Sequence, residues 1–512
     1  MLLRLHVKGF KNLRDVDVRF GPLTCFVGTN GVGKSNLFDA IQFLRLLADH
    51  EIQHAAESIR SPASGMFGPL DLFWAGDPAG RIELEADMLV PTTVVDDFGR
   101  PAHASITLLR YAVGFRYAEA PKPRVELVHE ELRHIAVGDA ARAIGFPHTV
   151  AFRKSAVAGR RSGGAFISTR TTLDQGRSSG SRRGAGRRRP ARGSPGAGGL
   201  LDTGSSSDSA MESGPLDYVA GEGIVAPTQI VLHQDGGSRG RPVPPGSSPR
   251  TVLGGTTAAE YPTVLAARRE MASWRSLHLE PSSLRAPDPF GSEDHVSERG
   301  HHIAATLARM TPDTKCAPRI FAEAASRLAG VVPEVAELRV RRDEVLRQHV
   351  LEARLHGSVP WMGPRALSDG TLRFLALVTM QMDPEAGRVL CMEEPENGIH
   401  PDRIPAMVRL LRDYAVDPEL AIGADNPLRQ VIVNSHSPEL LKQLDVPEIL
   451  FVEAVDGPDG RWAEVGPIAA TGNWRGEAGS IPLSRLEAVL GGAPMSAALR
   501  DRQLTLGGGT SW

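Results

Sequence analysis

The chain has 512 residues, 41% hydrophobic and 23% charged, which is ordinary for a water-soluble globular protein and enough for two or three domains' worth of core. No apolar run approaches the ~20 residues that a membrane-crossing helix needs, so the protein itself is not expected to span a membrane and no membrane partner is expected. The net charge of −2 hides an asymmetry: twelve basic residues stand between Arg153 and Arg192 against one acid, Asp174, leaving 46 basic and 59 acidic residues elsewhere, a net of −13.

Leu3 to Val7 alternates at period two and Val16, Val18 and Phe20 repeat the pattern, so the chain opens as a two-stranded hairpin. Its joint, Gly9-Phe10-Lys11-Asn12, reads equally as a nucleotide contact or as a plain turn. The apolar run Leu23 to Val27 ends at Gly28, and Thr29 to Ser35 completes the pattern G-x-x-x-x-G-K-S ahead of a helical period through Leu37, Ile41, Phe43 and Leu44. Strand, glycine loop and helix in that order make a concave site of backbone N–H groups for a phosphate. The residues expected to bind nucleotide are Gly28, Asn30, Gly31, Gly33, Lys34, Ser35 and Asn36, with Lys34 on the β- and γ-phosphates and the Ser35 hydroxyl on Mg²⁺. ATP and Mg²⁺ are therefore the expected ligands. The helix is expected to reach Leu46–His50 and to continue toward Ile59.

Alternation at Ile82–Met88, Ile106–Leu108, Val113–Phe115 and Val125–Leu127 predicts an antiparallel sheet that extends the first lobe. From about Ser155 the pattern dissolves, and Arg177 to Pro215 is Gly, Ser and Arg with hardly an apolar anchor, which predicts a disordered insertion. The arginines read either as phosphate-backbone contacts to nucleic acid or as a solvated low-complexity face. No aromatic residue interleaves them, which disfavours base stacking. Order resumes near Ile230–Leu232, with helices expected at Tyr261–Leu277, His302–Arg309 and Ala317–Leu328 and a hairpin at Leu338–Arg342 and Gln348–Leu355. His301-His302 lacks neighbouring carboxylate or cysteine ligands, so a surface pair is the better reading than a metal site. Cys25, Cys316 and Cys391 are far apart, form no metal spacing, and fit a reducing cytoplasm, as does the absence of a signal peptide at Met1 to Arg4.

The second half of the site follows. Ala366-Leu367-Ser368-Asp369-Gly370-Thr371 opens a helix through Met380, a second phosphate-binding end that would be surplus unless it closes over nucleotide held by a partner. Arg388–Met392 is an apolar strand that ends in Glu393-Glu394-Pro395-Glu396. Carboxylates at a strand end suit metal and water chemistry, so Glu393 is assigned to Mg²⁺ and Glu394 to the general base. Gln430–Val433 is another buried strand, ending in Asn434-Ser435-His436, and His436 there can sense the γ-phosphate or hold the attacking water.

GTNGVGKS, LSDGT, VLCMEEPENGIHP and VIVNSHSP, in that order, resemble the ABC-type head ATPases, and most of all the AAA-domain predicted ATPases akin to the OLD, RecF and SMC groups. The resemblance is strong over 1–50 and 360–440 and diffuse between. It implies an α/β P-loop NTPase with a mixed central sheet, an antiparallel β lobe and a helical insertion lobe. It also implies a homodimer that sandwiches ATP, with Ser368 and Gly370 acting in trans. The expected divisions are 1–153 for the first half of the head, 154–223 for the insertion, 224–357 for a helix and hairpin lobe, 358–454 for the second half of the head and 455–512 for a terminal hairpin and helices. Three features depart from the family pattern. Glu393 replaces the commoner aspartate, no glutamine loop can be placed after the first helix, and Leu450-Phe451-Val452-Glu453 is followed by Ala454 rather than glycine with only 59 residues remaining. The last predicts no nuclease domain of the OLD type. Two functions follow: an ATP-driven dimerisation switch over an effector encoded nearby, in stress or anti-phage defence, or a DNA-associated ATPase of repair or recombination. The ATPase of a membrane transporter fits LSDGT and the missing glutamine loop poorly.

Overall fold

Residues that are apolar without interruption form strands buried on both faces, and such strands gather in parallel at the centre of a molecule. Leu23–Val27 and Gln430–Ser435 are buried at every position, and Val389–Glu393 at all but its last. They form the middle of a six-stranded sheet in the order Arg275–Leu277, Val389–Glu393, Gln430–Ser435, Leu23–Val27, Ile449–Gly457, Gly460–Pro467. All neighbours are parallel except the terminal hairpin. Alternate residues feed two separate cores. Phe26, Cys391 and Ile432 face one, while Cys25, Val27, Leu390, Met392, Val431 and Val433 face the other.

In this computed structural model the described residues are 1–59, 68–159, 164–170, 229–236, 241–243, 248–311, 317–357, 360–469, 473–475 and 479–489. The first core lies between the six-stranded sheet and an antiparallel eight-stranded sheet ordered Arg241–Val243, Gln229–Leu232, Ile167–Arg170, Arg124–His134, Leu108–Ala118, Arg81–Leu89, Leu2–Phe10, Leu13–Arg19. Helix Lys34–Asp49 fills the gap, and its Phe43 stacks on Phe10 at 5.9 Å and meets Phe115 in a tilted pair at 5.5 Å between ring centroids. The second core lies under helices Ile303–Arg309, Ala317–Ala329, Asp369–Met382 and Ile404–Tyr414 and the hairpin of Val335–Asp343 with Gln348–Leu355. Buried Gln430 ties the two sheets together. Its Oε1 accepts from Leu2 N at 3.0 Å, and its Nε2 donates to the carbonyls of Leu2 at 2.8 Å and Gly21 at 2.9 Å.

Several expectations are corrected. The helix expected over Tyr261–Leu277 stops at Ala272, because Arg275–Leu277 pairs in parallel with Leu390–Met392 as an edge strand. Tertiary pairing overrides local helical period there. The first helix ends at Asp49, and Ile52–Ser58 is a second helix. A disordered insertion is expected from 154, but Val150–Ala156 is a helix, and Ile167–Arg170 is a strand of the eight-stranded sheet anchored by fully buried Phe166 and Ile167. Residues 160–163 and 171–228 lie outside the described residues. The interval 224–357 is divided among three places rather than forming one lobe. Gln229–Leu232 and Arg241–Val243 complete the eight-stranded sheet, and Arg275–Leu277 edges the six-stranded one. Only the part beyond builds a helix and hairpin unit. Among the described residues no helix is long and apolar enough to cross a membrane.

Candidate functional site

The glycine loop is pinned at both ends and open in the middle. A Cβ on Gly28 would lie 2.1 Å from the Val452 carbonyl oxygen, and one on Gly33 would lie 2.6 Å from the Asn12 amide. Gly33 also takes φ 116° at the helix N-terminus, a left-handed value that costs any other residue. Thr29, Asn30 and Gly31 are exposed at the crest. Beneath them Lys34, only 6% exposed, folds back so that its Nζ donates to the carbonyls of Gly28 at 2.6 Å and Thr29 at 2.8 Å. Burial lowers the lysine pKa, while the charges of Glu394, Cys25 and Glu393 oppose that shift.

Parallel register brings the other strand ends to this loop: Glu393 pairs with Asn434, and Asn434 with Phe26. Ser35 Oγ consequently donates to Glu393 Oε2 at 3.3 Å, although the two residues are far apart in the chain. Glu394 turns out of the strand with φ 46°, a strained value for a residue with a Cβ, and its N–H donates to Asn434 at O (3.0 Å) and Oδ1 (3.1 Å). Its carboxylate is gripped from two sides. His436 Nδ1 lies 2.9 Å from Oε1, and Asn397 Nδ2 donates to Oε2 at 2.7 Å. Two residues on, Glu396 is buried. Its Oε1 accepts from Ser435 Oγ, its Oε2 has no partner among the described residues, and burial raises its pKa.

Sequence reasoning assigned no role to four residues that the structure brings to the site. Asn12 donates to the Val32 carbonyl at 3.1 Å and accepts from Asn36 Nδ2 at 2.7 Å, and buried Lys11 pairs with Asp39 at 2.7 Å. The Gly9–Asn12 joint is therefore a clamp on the loop and its helix. Glu396 was legible only as one of three close glutamates. Arg373, on the helix that Ser368 opens, donates to the Asn397 carbonyl, so that helix is tied to the residue that holds Glu394.

Ser368 and Gly370 stand apart. Ser368 Oγ caps its own helix, accepting from Thr371 N at 3.1 Å, and lies 2.8 Å from Thr371 Oγ1. With Gly370 it borders a cleft of about 620 Å³ whose other wall runs from Gly398 to Arg403. Among the described contacts neither residue touches the phosphate loop.

The donor set fits a nucleotide with Mg²⁺. The lysine ammonium and the open loop suit phosphate, and Ser35 with Glu393 offers the one or two protein oxygens that Mg²⁺ takes beside phosphates and water. Among the described residues no group of three His, Cys, Asp or Glu side chains is placed to hold a metal ion, and such a site needs none. His301 and His302 are not the expected surface pair: both are half-buried, and His302 Nδ1 lies 3.6 Å from Asp288 Oδ1.

The parallel sheet with its glycine loop, the antiparallel β lobe beside it and the helix-borne Ser368 turn define a P-loop NTPase with an ABC-type head. Two family models match, both described as AAA domains. The one described as "AAA ATPase domain" matches residues 1–62, and the one described as "AAA domain, putative AbiEii toxin, Type IV TA system" matches 257–442. The chain thus carries AAA-type ATPase sequence on both sides of the site, the phosphate loop in one match and Ser368, Glu393, Glu394 and His436 in the other. A "DNA replication and repair protein RecF" from Porphyromonas gingivalis is 47% identical over 47 residues, which is 9% of this chain and 13% of that protein. An "OLD nuclease" from Thermus scotoductus is 50% identical over 44 residues, 9% of this chain and 8% of that protein. The chain matches well under two thirds of the length of these relatives. A solved SMC head bound to the C-winged helix domain of ScpA superposes with a TM-score of 0.42 at 10% identity, covering 91% of this chain and 98% of that one.

Proposed function

We propose that the protein hydrolyses ATP and uses the nucleotide as a dimerisation switch over a separate effector, in a stress or anti-phage setting. The observation that carries the reading is the convergence of Lys34, Ser35, Glu393, Glu394 and His436 from adjacent strand ends, while Ser368 and Gly370 lie elsewhere on the same chain. The description of the model that matches 257–442, with its Type IV TA system, favours an effector partner.

In this reading Lys34 exchanges the carbonyls of Gly28 and Thr29 for the β- and γ-phosphates. Ser35 and Glu393 hold Mg²⁺, which when bound supplies charge neutralisation on the phosphate oxygens. Glu394 accepts the proton of the attacking water, and His436 and Asn397 fix the carboxylate for that task. Ser368 and Gly370 of a second copy complete the γ-phosphate side, a reading supported by their lack of contact with the phosphate loop of their own chain among the described contacts.

Glu394→Gln tests the reading. Shape and hydrogen bonding persist, but the amide cannot accept the proton, so hydrolysis falls about 10²–10⁴-fold while ATP binding stays. Trapped ATP then yields a stable dimer by light scattering. A variant that turns over at the wild-type rate removes Glu394 from the role of base.

A second reading, a DNA-associated ATPase of repair or recombination, is favoured by the RecF relatives' own name and by the basic run. Replacing the seven arginines between Arg177 and Arg192 by glutamine separates the two. A flatter dependence of DNA affinity on salt supports the DNA reading, and an unchanged one removes the arginines from it.

A further inference from the structure

The hairpin lobe contains a cavity of about 360 Å³ that the nucleotide site does not use. It is walled by Leu284, Pro287, Ile303, Val350 and Pro364, apolar residues that would hold the body of a small organic molecule. Gly300 allows the wall to close, since a Cβ there would meet Leu284 Cδ2 at 2.6 Å.

The polar lining is one-sided. Its one acid, Asp288, is only 2% exposed and already accepts from the N–H groups of His302 and Ala305, both at 3.0 Å. The other polar side chains are Arg285, His302, Gln348, His349 and Arg365, together with Ser283. His302 Nδ1 is buried without a hydrogen bond and has Asp288 Oδ1 at 3.6 Å. Gln348, His349 and Arg365 show no side-chain hydrogen bond or ion pair with the described residues. The cavity therefore has donors to spare and no spare carboxylate. An anion in the cavity can pair with the Arg365 guanidinium at the rim, which a neutral solute cannot do.

Arg285 connects this cavity to the Ser368 turn. Its Nη2 donates to the Leu367 carbonyl at 3.0 Å, and it pairs with Asp369 Oδ1 at 2.5 Å, so it grips the residues on either side of Ser368. An anion in the cavity competes with Asp369 for that guanidinium.

We propose that this cavity is a regulatory binding site for a small organic anion with an apolar body, sensed by Arg285 and passed to Ser368. The proposal stands apart from the nucleotide chemistry, because binding is measurable without nucleotide.

Benzoate is the probe, with benzyl alcohol as its neutral counterpart and inorganic phosphate as an anion without an apolar body. Ligand-observed NMR on the full chain reads binding in the millimolar range expected of a fragment. Benzoate is expected to bind more tightly than either control. Arg365→Glu, at an exposed position that does not threaten folding, is expected to abolish its binding, and His302→Ala to weaken it. Equal binding of benzyl alcohol, undiminished benzoate binding in Arg365→Glu, or no benzoate binding at all overturns the site. Where benzoate binds, a change in ATP turnover present in the wild type and lost in Arg365→Glu supports the link to Ser368. Binding without any change in turnover overturns that link.

Discussion

The phosphate loop and the Ser368 turn are both helix N-termini preceded by small residues, yet their surroundings differ at each level. At the loop, a glycine backbone lies against the Val452 carbonyl, a lysine is folded beneath it, and the next-but-one strand end brings Glu393 within 3.3 Å of Ser35. At the Ser368 turn the hydroxyl is satisfied by its own helix, the glycine faces an open cleft, and no strand end arrives. A helix N-terminus supplies donors and partial charge. At the loop the strand ends add the carboxylates of Glu393 and Glu394, whereas beside Ser368 the charge of Asp369 is paired with Arg285. In the proposed reading the first site holds the triphosphate, and the second complements one held by a second copy.

Lys34→Ala sharpens that contrast most. It removes the ammonium folded beneath the loop, and loss of its charge-assisted bonds to phosphate makes nucleotide affinity fall by about 10²-fold or more. Titration calorimetry reads it directly. Retention of wild-type affinity would falsify the placement of nucleotide at this loop. Ser368→Arg is the matched variant on the other side. Affinity for ATP should stay within about two-fold, while hydrolysis falls about 10²-fold through loss of the complementing contact. The substitution also removes a cap worth about 1 kcal/mol, so the melting temperature drops slightly. If affinity instead falls as far as in Lys34→Ala, the two ends act within one chain and the contrast breaks.

Arg373→Ala probes the thread between the halves. The guanidinium of Arg373 holds the Asn397 carbonyl, and the Asn397 amide holds Glu394. Its loss loosens the base without touching phosphate contacts. A drop of roughly ten-fold in kcat with unchanged affinity is expected, matching one charged hydrogen bond. Equal losses in affinity and kcat would show that Arg373 supports the fold rather than the base.

What the sequence makes legible follows the same division. G-x-x-x-x-G-K-S and the apolar run into Glu393-Glu394 are local patterns in which chemistry and backbone shape lie within one stretch, so Lys34, Ser35, Glu393 and Glu394 could be named from them. His436 was nameable because a buried strand leads to it. Asn12 and Arg373 were not, since each acts by meeting a backbone carbonyl from another part of the chain, and polar residues near turns are too common to carry that signal. The β lobe was visible through alternation, but the pairing of Gln229–Leu232 with Ile167–Arg170 spans 171–228, where composition gives no strand signal. Arg275–Leu277 failed for a related reason: three residues are too few to show a period of two, and its parallel partner stands more than one hundred positions later.

The smallest effect separates two carboxylates two residues apart. Glu394 is 31% exposed and held by His436 and Asn397, whereas Glu396 is 7% exposed with one oxygen unpartnered. Burial raises the Glu396 pKa, opposed by the hydrogen bond from Ser435, by its own backbone and by the charge of His436, and assisted by the charge of Glu394. The sign follows from linkage. A carboxyl whose folded pKa lies above its unfolded value of 4.5 binds its proton more tightly in the folded state. Its contribution to stability is fully present below 4.5 and is lost as pH rises through the folded value. Glu396→Gln is permanently neutral, and its carbonyl can still accept from Ser435. Urea midpoints of the variant and the wild type should therefore converge in acid, with the variant above the wild type at neutral pH. Turnover should stay within about three-fold of wild type, since Glu396 has no part in proton removal. Parallel midpoints at every pH would mean that Glu396 titrates like an exposed glutamate. A loss of turnover as deep as that of Glu394→Gln would move the general base two residues along the chain.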